Sequence, residues 1–259
     1  MNQPAMTGTR RALLALAAST AVTSVFSSAA MAADKTQPAI KAVAFDAFPI
    51  FDPRSISLRA EEVFPGRGGA LVDVWRTRQF EYTWLRIASQ RYADFWHVTE
   101  DALAFAAKLL KLDLTSEKRS RLMGSYLEMK PWPGVAEGLK TLRDAGLRLR
   151  FLSNLTPQML AACVKASALE GLFEDPLSTD TIRTYKPDPR AYAMAVDAFG
   201  LPVENILFVA FGGWDAIGAK TFGFKTFWFN PASQPTEELG VTPDAMGPSF
   251  TDLVRFLLV

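Results

Sequence analysis

Three ionisable side chains lie where a folded chain could use them for chemistry. Asp46 follows the short apolar segment 39–45, Lys186 lies in a Tyr-Lys-Pro-Asp segment, and Asp215 follows a glycine-containing turn. An aspartate at the end of a strand can attack carbon and form an ester that water then splits. The structural alternatives are a helix cap or turn for the aspartates and a solvated turn for the lysine.

The chain contains one cysteine, Cys163, and one histidine, His97. These counts exclude an intrachain disulfide and a Cys-rich zinc site, and they leave almost no residue for a His-dependent triad. Carboxylates, Lys, Arg and hydroxyl groups must therefore carry the chemistry of any enzyme built from this sequence. Cys163 is predicted to pack in the core, and His97 is predicted at the surface or at a subunit contact.

The composition is that of a packed globular protein. Of 259 residues 49% are apolar and 21% are charged, which excludes a disordered or collagen-like chain. Lys and Arg number 28 against 27 Asp and Glu, so the formal charge is +1. A nucleic-acid partner needs a concentrated excess of positive charge, and the composition gives no support for one.

Residues 1–32 have the pattern of an export signal. The basic pair Arg10-Arg11 precedes an apolar, small-residue run that ends in the cleavage pattern Ala30-Met31-Ala32. The segment resembles a bacterial twin-arginine signal, which predicts cleavage after Ala32 and a periplasmic protein. The alternative is an uncleaved membrane anchor. No other stretch is apolar enough to span a bilayer, so no stable membrane insertion is expected after removal of the signal.

The segment between Pro53 and about Met129 shows helical periodicity and no strand pattern. Its first apolar residues recur at helical spacing, and they are Leu71, Trp75, Phe80, Trp84 and Ile87. Further helices are predicted to begin at Thr99 and at Thr115. Residues 53–129 are therefore predicted to form a compact helical insertion.

After residue 130 the pattern alternates between strands and helices. Strands are predicted at 147–152, 176–178, 206–210 and 226–229, and helices at 135–144, from about 157 toward 173, at 189–199 and at 215–222. Such alternation indicates a parallel sheet with helices on both faces. The fold class is therefore α/β, with a Rossmann-like parallel-sheet core built from 39–52 and 130–259 and a helical cap inserted after the first strand.

In parallel sheets the ligand site lies beyond the carboxyl ends of the strands. This rule selects Asp46, the pair Ser153 and Asn154, and the turn 212–215 as neighbours in space. Ser153 and Asn154 could instead cap the helix that follows them, and Asp215 could cap its own helix.

Short motifs then identify a family that the chain resembles. The segments Phe45-Asp46-Ala47-Phe48, Leu152-Ser153-Asn154, Tyr185-Lys186-Pro187-Asp188 and Gly213-Trp214-Asp215-Ala216 occur in the order typical of the haloacid dehalogenase (HAD) superfamily. Segments of the insertion narrow the resemblance to the type II (S)-2-haloacid dehalogenases; they are Phe64-Pro65-Gly66-Arg67, Trp75-Arg76, Gln79 and 81–86. The resemblance covers residues 39–259.

The resemblance implies a hydrolytic mechanism for short 2-haloacids. Asp46 would displace halide from C2 with inversion, and Lys186 would pair with Asp46 and keep it ionised. Asp215 would position or activate the water that splits the ester. The resemblance also implies a homodimer, in which Tyr82 and Trp84 would serve a subunit contact.

It implies binding groups as well. Arg76 and Asn154 would receive the departing halide, and Ser153, with backbone N–H groups near Asn154 and Leu155, would hold the substrate carboxylate. Aromatic side chains would wall the pocket and a tyrosine would support the lysine; these residues are Phe48, Phe95, Trp214 and Tyr192.

Phosphatases of the superfamily carry a second aspartate two residues after the nucleophile, where this chain has Phe48. That acid protonates a leaving alkoxide, whereas halide leaves without a proton. Phosphatases also need Mg²⁺ to neutralise phosphate, and the last motif supplies only Asp215. We therefore expect dehalogenation without cofactor or metal. The alternatives are a catalytically impaired protein that binds small carboxylates and, with less support, a phosphatase.

Four positions near the expected site depart from the family pattern. Pro49 and Ile50 replace Gly and Thr, and Ala210 and Gly212 replace Ser and Asn. Ile lacks the hydroxyl that Thr would donate to the nucleophile, and Pro lacks an N–H. Gly212 is predicted to open volume that water or a differently shaped substrate could fill. The departures predict an altered pocket.

Overall fold

A computed structural model describes residues 40–259. The predicted export signal, 1–32, lies outside this range. Within it, no helix combines the length and the apolar character that crossing a membrane requires.

The core is a single parallel sheet, as predicted. Its strands are β1 (Ala42–Phe45), β2 (Arg148–Ser153), β3 (Leu177–Ser178), β4 (Ile206–Ala210), β5 (Lys225–Phe229) and β6 (Ala245–Gly247). They lie in the order β3-β2-β1-β4-β5-β6, and each neighbouring pair is parallel. The order reverses between β1 and β4, which is the position where α/β sheets bind ligands.

Helices fill the connections between the strands. In the described range they are α1 (Arg54–Val63), α2 (Gly68–Ala88), α3 (Phe95–Leu109), α4 (Ser116–Gly124), α5 (Val135–Asp144), α6 (Pro157–Ala166), α7 (Pro189–Phe199), α8 (Gly213–Phe222) and α9 (Phe250–Leu258). Short 3₁₀ helices occupy Ser125–Leu127, Thr179–Ile182 and Val203–Asn205.

Both faces of the sheet are covered because its strands are apolar on both sides. On β1, Val43 and Phe45 belong to a large buried cluster shared with α5, α6 and α9. Ala42 and Ala44 point the other way, into a second cluster shared with α7 and α8. The first cluster continues into α1 to α4, so apolar packing connects the inserted helices with the sheet.

The inserted helices begin and end at neighbouring points of the chain. Phe51 and Pro131 form an antiparallel bridge, and the N–H of Asp52 donates to the carbonyl of Lys130 at 2.8 Å. The regular elements between 53 and 129 are all helices, and the boundaries of the cap at these residues stay a prediction.

Some element boundaries differ from the sequence prediction. Helix α3 begins at Phe95, four residues before the predicted start at Thr99, because the Asp94 side chain accepts from the N–H of His97 and caps the helix. Helix α8 likewise begins two residues early, and α6 ends at Ala166, well before 173.

Strand β6 and helix α9 were not predicted. Helix α9 begins with a reciprocal capping box between Ser249 and Asp252. This Ser-x-x-Asp pattern before an apolar run was the signal in the sequence that could have found the helix.

Two adjacent glycines test the packing of α2 on α1. A methyl group added at Gly68 would collide with the backbone of Ala60 and Glu61, whereas one added at Gly69 meets no atom within 4 Å. We expect Gly68→Ala to lower the free energy of unfolding by about 1–3 kcal/mol, because backbone cannot give way as a side chain can. Gly69→Ala should stay within about 0.5 kcal/mol of the wild type. Urea unfolding measures both, and equal effects would contradict this packing.

Candidate active site

Asp46 lies directly beyond β1, at the point where the strand order reverses. Its N–H donates to the carbonyl of Val209 on β4 at 2.9 Å, which continues the pairing of the two strands by one step. Its side chain is 10% exposed. The Oδ2 atom accepts from the N–H of Phe48 at 3.3 Å. Asp46 therefore makes the contact of a turn aspartate, with the N–H of Phe48, and its carboxylate is also accessible.

Lys186 joins the two buried carboxylates of the site. Its Nζ donates to Oδ1 of Asp46 at 2.8 Å and to Oδ2 of Asp215 at 2.6 Å. The lysine is 1% exposed, so the solvated turn is wrong for this residue. The loop before α7 carries the amine under the carboxyl ends of β1 and β4.

The pKa of Lys186 reflects two opposing effects. Burial by itself lowers the pKa, but the charges of Asp215 and Asp46 and the hydrogen bonds to both outweigh it and hold the pKa above its ordinary value. The amine therefore stays charged near neutral pH.

Asp215 is held from both sides. Lys186 binds Oδ2, and the hydroxyl of Tyr192 donates to Oδ1 at 2.7 Å. Burial raises the pKa of Asp215 to about 6, and the Asp46 charge adds to the rise, against the lowering effects of Lys186 and Tyr192. The helix-cap alternative is not observed, because α8 begins after Gly212 without a side-chain cap.

Asn154 offers a free donor to the site. Its Oδ1 accepts from the hydroxyl of Thr179 at 3.1 Å and from the N–H of Lys186 at 3.0 Å. A backbone N–H can only donate, so this contact fixes the orientation of the amide. Within residues 40–259 the Nδ2 group donates to no protein acceptor, and Asn154 lines the cavity described below.

Ser153 and Leu155 form a turn at the end of β2. The N–H of Leu155 donates to Oγ of Ser153 at 3.1 Å. Helix α6 is capped by Thr156, whose side chain accepts from the N–H of Met159. The alternative role of Ser153 and Asn154 as caps is therefore wrong, and both side chains are available to the cavity.

A small cavity of about 50 Å³ lies against the Asp46 carboxylate. Eight predicted site residues line it: Asp46, Phe48, Arg76, Phe95, Ser153, Asn154, Leu155 and Trp214. Lys186, Asp215 and Tyr192 are not among the lining residues, since they lie behind Asp46. The predicted residues are thus brought together in two layers, one on the cavity and one beneath it.

Arg76 supplies positive charge to the cavity wall. It is exposed and, within the described range, has no ion-pair partner. Burial raises the pKa of the nearby Tyr126 hydroxyl to about 12, and the positive charge of Arg76 acts in the opposite direction. An anion in the cavity would therefore meet an uncompensated guanidinium.

Several lining residues were missed by sequence reasoning. Gln79 and Tyr126 are almost fully buried on the cavity wall, where the Gln79 amide donates to Thr99 Oγ1 at 2.6 Å. The other missed lining residues are Pro53, Ile56, Phe80 and Phe211, whereas Gly212 belongs to the turn that the strand-end rule selected. A buried Gln within an apolar helical stripe was the available signal, because polar residues on such a face need a buried partner.

The structure shows what surrounds the four departures. Ile50 is fully buried in the large apolar cluster, and Ala210 is buried in the second cluster. Pro49 lacks an N–H, but the N–H of Phe48 still reaches Asp46.

The volume expected to open at Gly212 is filled by the indole of Trp214. A Cβ atom at residue 212 would lie 2.6 Å from Nε1 of that indole. The prediction that water or substrate occupies this space is therefore wrong.

The remaining candidates lie outside the site. In residues 40–259 no group of three or more His, Cys, Asp or Glu side chains is arranged to hold a metal ion. His97 is exposed and pairs with Asp94 at 2.7 Å. Cys163 is buried, as predicted, and burial raises its pKa to about 12.

The chain is similar to proteins of known activity. Residues 20–223 match the family model described as haloacid dehalogenase-like hydrolase. The chain is 45% identical to an (S)-2-haloacid dehalogenase of Pseudomonas sp. strain YL over 79% of this chain and 89% of that protein. It is 38% identical to haloacetate dehalogenase H-2 of Moraxella sp. strain B over 85% of this chain and 99% of that protein.

Solved structures agree with these similarities. A crystal structure of an L-2-haloacid dehalogenase has a TM-score of 0.84 and 44% identity over 85% of this chain and 100% of that one. The L-2-haloacid dehalogenase of Xanthobacter autotrophicus with chloropropionic acid covalently bound has a TM-score of 0.78 and 34% identity, covering 84% and 98% of the two chains.

Lys186→Met tests the buried ionic cluster. Removing the amine leaves two carboxylates without a counter-charge, and we expect the free energy of unfolding to fall by about 3–5 kcal/mol at neutral pH. Lys220→Met removes a partly exposed ion pair with Asp244 and should cost about 1 kcal/mol or less.

The loss should also depend on pH. Without Lys186 the pKa of Asp215 rises further above its unfolded value of 3.8. A raised carboxyl pKa favours the folded state below the unfolded pKa, and this contribution is lost as pH rises through the folded pKa. The deficit of Lys186→Met should therefore be smaller near pH 4 than at pH 7 in denaturant unfolding, and a pH-independent deficit would contradict the cluster.

Proposed function

This chain belongs to the haloacid dehalogenase-like hydrolases, among the (S)-2-haloacid dehalogenases, and we propose that it hydrolyses short 2-haloalkanoic acids to 2-hydroxy acids and halide. The observation that carries the proposal is the accessible Asp46 carboxylate on a small cavity, with Lys186 Nζ at 2.8 Å behind it. Phe48 stands two residues later, where a phosphatase of this superfamily needs its acid.

The two oxygens of Asp46 suit two different tasks. Oδ1 is bound to Lys186 at 2.8 Å, whereas Oδ2 accepts only a longer hydrogen bond of 3.3 Å from Phe48. Oδ2 is therefore the freer nucleophile. Its attack on C2 forms the carbon–oxygen bond of an ester as the carbon–halogen bond breaks, and halide leaves with the bonding electron pair.

Ester formation changes the charge around Lys186. The ester of Asp46 is neutral, so the ammonium then faces one carboxylate, Asp215, in place of two. When water attacks the ester carbonyl, negative charge develops on Oδ1, next to Nζ. The bond between Cγ and Oδ2 then breaks, Oδ2 leaves as the product hydroxyl with one proton of the water, and the other proton is released to solvent as Asp46 becomes a carboxylate again. A fixed donor at the atom where charge develops lowers the barrier of such a step.

Arg76 and Asn154 would bind the anions of the reaction. The guanidinium has no ion-pair partner within residues 40–259, and the Nδ2 group of Asn154 has no protein acceptor there. Both line the cavity. They would receive the halide, while the hydroxyl of Ser153 and the backbone at Leu155 would hold the carboxylate.

Asp215 would hold Lys186 in place, and the role on the hydrolytic water that the resemblance implies stays a prediction. Both of its oxygens are engaged, and it is not among the residues that line the cavity. Because its pKa is about 6, it is ionised at neutral pH and holds the ammonium against Asp46. Tyr192 in turn holds Asp215.

Two further proposals concern the protein outside the site. Residues 1–32 would direct export to the periplasm, supported by the Arg10-Arg11 pair and the cleavage pattern at Ala32. A homodimer would form through α2, supported by Trp84, which is 39% exposed, and by its neighbour Leu85, which is 60% exposed. Tyr82 would contribute to the same contact.

Asp46 can be tested by following one oxygen atom. Wild-type protein should release chloride from (S)-2-chloropropionate without added metal, and Asp46→Ala should release none. In a single turnover in ¹⁸O-labelled water, the product hydroxyl should carry the unlabelled oxygen of Asp46, because water attacks the ester carbonyl. Mass spectrometry measures the label in lactate, and labelled lactate from the first turnover would contradict hydrolysis at the carbonyl of an Asp46 ester.

Tyr192→Phe tests the support of Asp215. The hydroxyl bonds the ionised carboxylate and lowers its pKa, so its loss should raise the pKa of Asp215 above about 6. A hydrogen bond to a charged group corresponds to about one pH unit. The acid limb of the kcat profile should therefore move to higher pH by about that amount. Tyr82→Phe is the control, and an unmoved limb in Tyr192→Phe would remove Tyr192 from this role.

A further inference from the structure

The small cavity adjoins a larger groove that is open to solvent. The groove has a volume of about 890 Å³. The residues that line both spaces form their common wall, and they are Arg76, Phe80, Phe211, Gly212 and Trp214. A substrate passing from the groove to Asp46 must pass this wall.

Trp214 occupies its part of the wall because residue 212 has no side chain. A Cβ atom on Gly212 would lie 2.6 Å from the indole Nε1 and 3.1 Å from two further ring atoms. No normal contact is that short, so any other residue at 212 must displace the ring. The backbone of Gly212 has φ −79°, an ordinary value for any residue, so the requirement for glycine is steric and comes from the indole.

The indole is fixed from its other side by α2. Its ring centroid lies 5.3 Å from that of Phe80 and 5.6 Å from that of Trp84. Phe211 completes the wall and packs against Phe48 with centroids 5.8 Å apart. The ring is thus held between the inserted helix and the backbone of Gly212, and it can move only if one of these contacts is lost.

We infer that Gly212 and Trp214 act as one size-limiting pair, in which the bare backbone at 212 seats the indole across the passage and restricts the pocket to the shortest acids. This inference rests on the proposed function for its substrate class. Glycine at position 212 therefore narrows the pocket, because the indole of Trp214 occupies the space that a side chain at 212 would take.

The test compares the shortest substrate with a longer one. In Gly212→Ala the methyl group displaces the indole, and the ratio of kcat/KM for (S)-2-chlorobutyrate over chloroacetate should rise by about tenfold, the range expected for one or two methylene groups in an apolar pocket. Trp214→Ala should raise the same ratio. The ratio of the double variant should exceed that of Trp214→Ala by less than about twofold, because both changes remove the same obstruction, the indole ring.

Gly69→Ala is the matched control, since its methyl group meets no atom within 4 Å, and its ratio should equal that of the wild type. If Gly212→Ala fails to fold, Trp214→Ala, which adds no atoms, decides the question by its own ratio. The inference would be wrong if Trp214→Ala left the kcat/KM ratio unchanged. It would also be wrong if the double variant raised the ratio by the product of the two single effects.

A binding measurement separates this inference from the proposed function. Acetate and butyrate carry no halogen, and calorimetry gives their affinities without turnover. If Gly212→Ala and Trp214→Ala increase the affinity for butyrate relative to that for acetate, the result supports the size-limiting pair even when the wild type releases no halide. Halide release by the wild type with unchanged affinity ratios would leave the function standing and refute the pair.

Discussion

The buried ammonium of Lys186 between Asp46 and Asp215 is the interaction on which the site depends. Two carboxylates this close to one another could not both stay ionised in a buried place without a cation between them. The cluster also explains the division of the site into layers. The carboxylate that faces the cavity keeps one oxygen that accepts only the long hydrogen bond from Phe48, and beneath it Asp215 holds the amine while Tyr192 holds Asp215.

The fold supplies the geometry that this cluster needs. The strand order reverses between β1 and β4, so the carboxyl ends of two central strands diverge and leave a crevice at Asp46. The inserted helices close the crevice from above with Arg76, Gln79 and Phe95. Because they share one apolar cluster with the sheet, Arg76 on the inserted helices and Asp46 at the end of β1 belong to one packed unit.

The departures from the family pattern change the walls more than the reacting groups. The substitutions replace polar or small residues, and apolar side chains pack at these positions. Ile50 is buried in the core, and the indole of Trp214 lies over Gly212. The hydrogen bonds to Asp46 that remain come from Lys186 and from the backbone of Phe48, and neither depends on the substituted side chains. A chain can therefore lose several neighbouring donors and keep the charge cluster.

The sequence by itself determined the fold class and indicated that Asp46, Lys186 and Asp215 would lie close together. The alternation of strands and helices is a local pattern that can be read from the sequence. In a parallel sheet the carboxyl ends of the strands lie along one edge, so Asp46, Ser153 and Asn154 can be placed there without coordinates. Tertiary structure decided what depends on distant contacts: that Asp215 lies behind Lys186, that Gln79 and Tyr126 reach the cavity, and that Trp214 fills the space at Gly212. These outcomes depend on side chains far apart in the chain meeting in one volume, and no local pattern encodes which of them takes it.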